Sequence, residues 1–121
     1  MLETKIINSL RALGEDFLCE IIGIYLRDLH SFVGRIEQAV LNQAAEDGEI
    51  ASHSLKGASY SVGAKAVGDV CYSFEKAFEN KQYDGMEGML VQLKDEVFVA
   101  ENELTHLKQK LERSLEVFSE R

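Results

Sequence analysis

No proline occurs anywhere in the 121 residues, so nothing in the chain obliges a helix to break or kink. Cysteine is scarce. Cys19 and Cys71 stand far apart inside apolar helical patterns and read as small buried hydrophobes rather than a disulfide. No run approaches the roughly 20 apolar residues that span a bilayer. Glu3 and Asn8 interrupt the stretch where a signal peptide would be continuously apolar. The expectation is a cytoplasmic protein that does not engage a membrane. Positive charge is also short: 13 Lys and Arg face 21 Asp and Glu, leaving a net charge of −8. That balance argues against nucleic acid, whose binders need a clustered basic footprint, and against anionic lipid surfaces. No glycine-rich phosphate loop follows a strand. His30 and His106 are far from one another and lack ligand spacing, so no metal site is expected.

What is present favours helix. Leu, Ala, Glu and Lys are plentiful, and 45% apolar with 28% charged residues is an ordinary globular balance. The length suits one domain over residues 1–121 with a single core. Apolar residues at three- and four-residue spacing predict helices over 2–11, 15–43, 48–62, 64–81 and 86–118. The second carries Phe17, Leu18, Ile21, Ile22, Tyr25, Leu29, Phe32, Val33, Ile36 and Val40. Asp47 is a candidate N-cap for the third, which stops near Gly63. The last keeps its rhythm from Leu90 to Leu111 and Phe118, and its turns past Leu107 are long enough to outrun the others. They end as a solvated tip, pack along the second helix, or support self-association; a monomer is expected. The fold class is all-α: an antiparallel four-helix bundle with an additional short N-terminal helix.

The segment Ala51–Ala64, A-S-H-S-L-K-G-A-S-Y-S-V-G-A, is the most informative. At about 100° per residue, Ala51, Leu55, Ala58 and Val62 fall within roughly 60° of one another and form an apolar stripe. His53 lies on the opposite side, accompanied by Glu49, Lys56, Gly57 and Tyr60, with Ile50 at the edge. A glycine in a helix interior costs about 1 kcal/mol against alanine. Gly57 faces away from the stripe, so access to the neighbouring histidine explains it better than core packing does. A surface histidine with a cation and a gap beside it suits a nucleophile that meets something large and anionic. Neutral imidazole is a competent nucleophile near pH 7. Ser52, Ser54, Ser59 and Ser61 have no base–orienter pair near them and read as helix surface or packing.

H-S-L-K-G-A-S with V-G-A after it, and D-V-C-Y-S-F-E further on, resemble the signature of bacterial histidine-containing phosphotransfer domains. The N-terminal stretch L-R-A-L-G-E-D-F-L-C-E-I-I-G-I-Y-L-R-D-L is similar to the first helices of that family, so the likeness covers about residues 5–110. Ser52, where the family often has alanine, and Ala58, where serine is frequent, depart from the pattern without changing size much.

The resemblance implies a phosphorelay intermediate. His53 would take a phosphoryl group from a receiver-domain aspartate or a histidine kinase and pass it to a response-regulator receiver domain. Lys56 would supply positive charge, and Gly57 access. Ile50, Tyr60 and Ala64 would contribute to the docking face. Glu75 matches the family position that orients the histidine through its other ring nitrogen; an exposed helix glutamate without that role is the alternative. Such a carrier is not an enzyme and holds no cofactor, the Mg²⁺ ion belonging to the partner receiver. Two other readings stand beside it. One is a non-catalytic helical adaptor, against which His53, Lys56 and Gly57 argue. The other is a phosphoacceptor domain excised from a larger chemotaxis-type or hybrid sensor kinase, against which Met1, so close to the first helix, favours a free-standing protein.

Overall fold

Each apolar seam in this sequence folds as a helix that turns the seam toward its neighbours. The computed structural model describes residues 1–119, with side chains as far as Val117. Among these residues there are five helices and no strand: α1 (Thr4–Ala12), α2 (Glu15–Asn42), α3 (Ala45–Ser61), α4 (Lys65–Glu79) and α5 (Met86–Ser119). Helices α2 and α4 each pack on both α3 and α5, closing an antiparallel four-helix ring. Cross-helix pairs give the antiparallel register of α2 and α5: Lys94 meets Glu37 at 2.7 Å, and His30 meets Glu101 about two turns further along.

Leu18, Ile22, Leu29, Ile36, Leu55, Phe74, Leu93 and Leu104 meet at the centre with no exposed surface. Each such burial contributes roughly 1.5–3 kcal/mol before chain entropy is set against it. Phe17, expected in this seam, is exposed, because Leu18 takes the inward position one residue round the helix. Both cysteines are free; Cys71 is buried as expected, while Cys19 is only half-buried at the edge of the core.

Helices α2 and α5, at 28 and 34 residues, are far longer than α3 and α4 at 17 and 15. Where the short helices stop, α1 packs on α2, and the Leu2 N–H donates to Glu103 of α5 at 3.1 Å. Past Leu107, α5 runs on along the start of α2: Leu111 is buried and Ser114 Oγ lies 3.4 Å from Glu15. Those turns are packed rather than free. Phe118, the last residue of the expected rhythm, has its side chain outside the described residues.

The turns decide where α3 begins. Gln43 adopts a left-handed conformation at φ 50, and the Ala44 N–H returns to the Ala39 carbonyl at 2.9 Å. The reversal is complete within two residues, so α3 starts at Ala45 and Asp47 lies inside its first turn instead of capping it. Glu46 and Asp47 still place negative charge at the positive end of the helix. Helix α4 ends the same way, with Lys81 at φ 53 and the Gln82 N–H on the Ala77 carbonyl at 2.8 Å. Tyr83 donates to the Gln43 carbonyl at 3.0 Å, tying these two turns together. At the other end Gly63, at φ 81, turns α3 into α4, and its carbonyl accepts from the Glu3 N–H at 2.8 Å. No helix among the described residues is long and apolar enough to cross a membrane.

Candidate functional site

Helices α3 and α4 run antiparallel in one register along their whole contact. Gly48 faces Phe78, His53 and Lys56 face Glu75, and Tyr60 faces Gly68 and Asp69. The buried side of α3 carries Gly48, Ala51, Ser52, Leu55, Ser59 and Val62. Ala58, expected in that apolar stripe, is only half-buried, and two serines lie deeper than it does. Both are satisfied: Ser52 Oγ donates to the Gly48 carbonyl at 2.7 Å, and Ser59 Oγ shares a 2.8 Å bond with the Tyr25 hydroxyl.

His53 points outward, its side chain 67% exposed. Its Nδ1 hydrogen-bonds Glu75 Oε2, which leaves Nε2 facing solvent. The second oxygen of the same carboxylate accepts from Lys56 Nζ at 2.6 Å. Glu75 is therefore shared by an imidazole and an ammonium, and it is well sheltered, with 13% of its side chain exposed. Burial alone would raise its carboxyl group's pKa; the Lys56 and His53 hydrogen bonds and the charges behind them outweigh that and hold it below the ordinary carboxylate value. Lys56 Nζ also lies 5.4 Å from the centre of the Tyr72 ring, with Lys76 Nζ at 5.6 Å from the same ring. Burial, with Glu75 adding to it, pushes the nearby Cys71 thiol up to about 12, so it stays neutral near pH 7.

A Cβ placed on Gly57 would meet nothing within 4 Å, so the gap beside His53 opens to solvent. Gly48 differs: a Cβ there would overlap the Phe78 ring. Ile50 and Tyr60 are exposed on the histidine side, as expected. Ala64 is not. It is buried, because Gly63 turns the chain inward and the Ala64 N–H closes the end of α3 on the Ser59 carbonyl at 2.8 Å. Beside Gly57, along the α2–α3 seam, Ile21, Ile24, Phe32, Ala58 and Val62 line an apolar cavity of about 170 Å³. A larger groove, about 580 Å³, runs along α2 from His30 to Asn42 and reaches none of the histidine-site residues. Among the described residues no three His, Cys, Asp or Glu side chains gather where a metal ion could be held.

The Hpt domain profile matches residues 20–116, a span that contains His53, Lys56, Gly57 and Glu75. The chain belongs to the Hpt domain family. It is 32% identical over 81 residues to histidine-containing phosphotransfer protein 2 of Arabidopsis thaliana, covering 64% of this chain and 52% of that one. Histidine-containing phosphotransfer protein 1 of the same plant is 28% identical over 96 residues, covering 76% and 61%. The chain thus spans about half to three fifths of the length of these relatives. In fold it is similar to histidine-containing phosphotransfer protein B of Pseudomonas aeruginosa, at TM-score 0.86 and 18% identity over 90% of this chain and 95% of that one. It is also similar to histidine-containing phosphotransfer protein MtHPt2 of Medicago truncatula, at TM-score 0.76 and 23% identity over 96% and 82%. Hpt domains are phosphotransfer carriers.

Sequence spacing brought out the side of α3 on which His53, Lys56, Gly57 and Tyr60 stand. It missed Tyr72, Gly68 and Asp69, which belong to α4 and meet α3 only through the register of the two helices. A glycine within the α4 apolar pattern was the available signal for a close approach at Gly68.

Proposed function

We propose that this Hpt domain is a phosphorelay intermediate, taking a phosphoryl group from a receiver-domain aspartate or a histidine kinase and delivering it to another receiver domain. The observation that carries this reading is the bond between His53 Nδ1 and Glu75, which leaves Nε2 exposed beside the Gly57 gap. With the proton held on Nδ1, Nε2 carries the lone pair. That pair attacks the phosphorus of the aspartyl phosphate. The Nε2–P bond forms as the P–O bond breaks, and the aspartyl carboxylate leaves with the bonding electrons. No proton moves in this step. The ring becomes cationic, and the Glu75 carboxylate faces that new charge through Nδ1–H. Delivery to the next aspartate is the same step reversed.

Lys56 keeps Glu75 ionised and adds positive charge beside the path of an anionic group. The Mg²⁺ ion that such an exchange uses would be held by the receiver domain. Ile50, Gly57, Tyr60 and the apolar cavity at the α2–α3 seam form a face of the modest, partly apolar kind that transient partners use. The domain has no turnover of its own, since the group enters and leaves through one nitrogen.

Incubation with phosphorylated receiver domains tests this directly. His53 should gain an acid-labile, base-stable phosphoryl group, and His53→Gln should lose it while its helical content and melting temperature stay unchanged. Label persisting in His53→Gln, or mapped to His30 or His106, would sink the proposal.

A further inference from the structure

We infer that Gly68, Asp69 and Lys65 hold Tyr60 as a fixed docking post that determines which receiver domains can reach His53. The inference rests on the phosphotransfer reading above and adds the residue that sets its selectivity. Tyr60 is seven residues beyond His53, two turns or roughly 10 Å along the same side of α3. Gly57 lies between them with open space above it, so a partner covering His53 passes over the gap and meets Tyr60.

The ring is not free to swing. It lies directly on Gly68 of α4, where a Cβ would overlap three of its atoms. Its hydroxyl donates to Asp69 Oδ1 at 2.7 Å, and Lys65 Nζ holds the other Asp69 oxygen at 2.6 Å. The Asp69 bond pushes the Tyr60 hydroxyl up to about 12, so it remains a donor at any physiological pH. Glycine is unfavourable inside a helix, and here the space it leaves does not bury the ring, since Tyr60 stays exposed. What the arrangement secures is orientation. A rigid aromatic side chain with one face covered and one open loses little freedom when a partner packs on it, which is how tyrosine dominates many interfaces. The Lys65–Asp69 pair neutralises itself beside the ring, so the matching element on the receiver is an aliphatic or aromatic side chain.

The experiment compares transfer from several phosphorylated receiver domains, over a range of concentrations, with direct labelling of His53 by phosphoramidate, which needs no docking. For its cognate receiver, Tyr60→Ala should raise the half-saturating concentration about tenfold or more, as loss of an interface anchor does, with the maximal rate and phosphoramidate labelling unchanged. Tyr60→Phe keeps the ring on Gly68 and should retain most of the affinity. Gly68→Ala should weaken docking in the wild type and do nothing further in a Tyr60→Ala background. Equal saturation curves for wild type and Tyr60→Ala on every receiver would overturn the inference. So would a Gly68→Ala effect that persists without the Tyr60 ring, or a parallel loss of phosphoramidate labelling, which would mark Tyr60 as structural. If phosphoramidate labels the wild type but no receiver does, the phosphotransfer reading itself fails and takes this inference with it.

Discussion

Replacing Gly57 and Gly48 separately sets two glycines of one helix against each other. At Gly57 a methyl group meets nothing within 4 Å, so Gly57→Ala removes only the cost of glycine in a helix, up to roughly 1 kcal/mol. For a chain of this length that raises the melting temperature by about 3–5 °C. At Gly48 the same methyl overlaps the Phe78 ring, which is buried and has nowhere to retreat. Gly48→Ala should therefore destabilise the bundle by about 1–3 kcal/mol, the usual cost of overpacking. Gly57→Leu should still fold, because its side chain would stand in solvent, yet it should block transfer from a receiver domain to His53. Thermal melts and single-turnover transfer on the same proteins read both quantities. A lower melting temperature for Gly57→Ala, or wild-type transfer by Gly57→Leu, would refute the argument that this glycine exists for access.

Lys56→Ala should slow transfer about 10- to 1000-fold, the loss of one electrostatic stabiliser, while label still accumulates at long times; rapid-quench measurement of equal rates would reduce Lys56 to surface decoration. Glu75→Gln should slow transfer roughly 10- to 100-fold through the loss of the charge behind Nδ1. Its stability gap from wild type has a definite pH sense. Because folding lowers the pKa of Glu75, the gap should be fully open above the ordinary value of 4.5 and close as pH falls through the folded value; urea unfolding with a constant gap down that range would contradict the shared ion pair. Lys81→Gly relieves a left-handed residue and should add about 1 kcal/mol of stability, with a fall in the urea midpoint as the opposing result.

The helical period alone placed His53 on the outer side of α3, with Lys56, Gly57 and Tyr60 beside it, because one stripe of small apolar residues fixes which side faces in. It erred where burial and polarity part company. Ser52 and Ser59 lie deep because a back-bond to Gly48 and the Tyr25 hydroxyl satisfy them, and hydropathy marks neither a serine that bonds back along its own helix nor one whose partner sits on another. Asp47 looked like a cap because the third helix was expected to start at 48, but Gln43 turns the chain earlier, and glutamine carries no signal for a left-handed bend. Ala64 was expected on the docking face from the resemblance; the reversal at Gly63 turns it inward instead. For Glu75 the resemblance supplied the position, but its reach to both His53 and Lys56 depends on how α3 slides against α4, which spacing along one helix does not specify.

His53, Lys56, the Gly57 gap and Glu75 all lie on two consecutive helices joined at Gly63. This chain's share of the proposed chemistry is therefore held within a single helical hairpin, whose contacts are close in sequence and quick to form during folding. Helices α1, α2 and α5 brace that hairpin, and α2 alone adds to its outer face through the cavity along the seam. Under the proposed function, a change on the α2 side of that cavity should act on docking alone, because α2 supplies none of the groups bonded to His53. The proposed docking post at Tyr60 shares the hairpin with the reaction, and the α2 side of the cavity is the part of the face that could be altered separately from it.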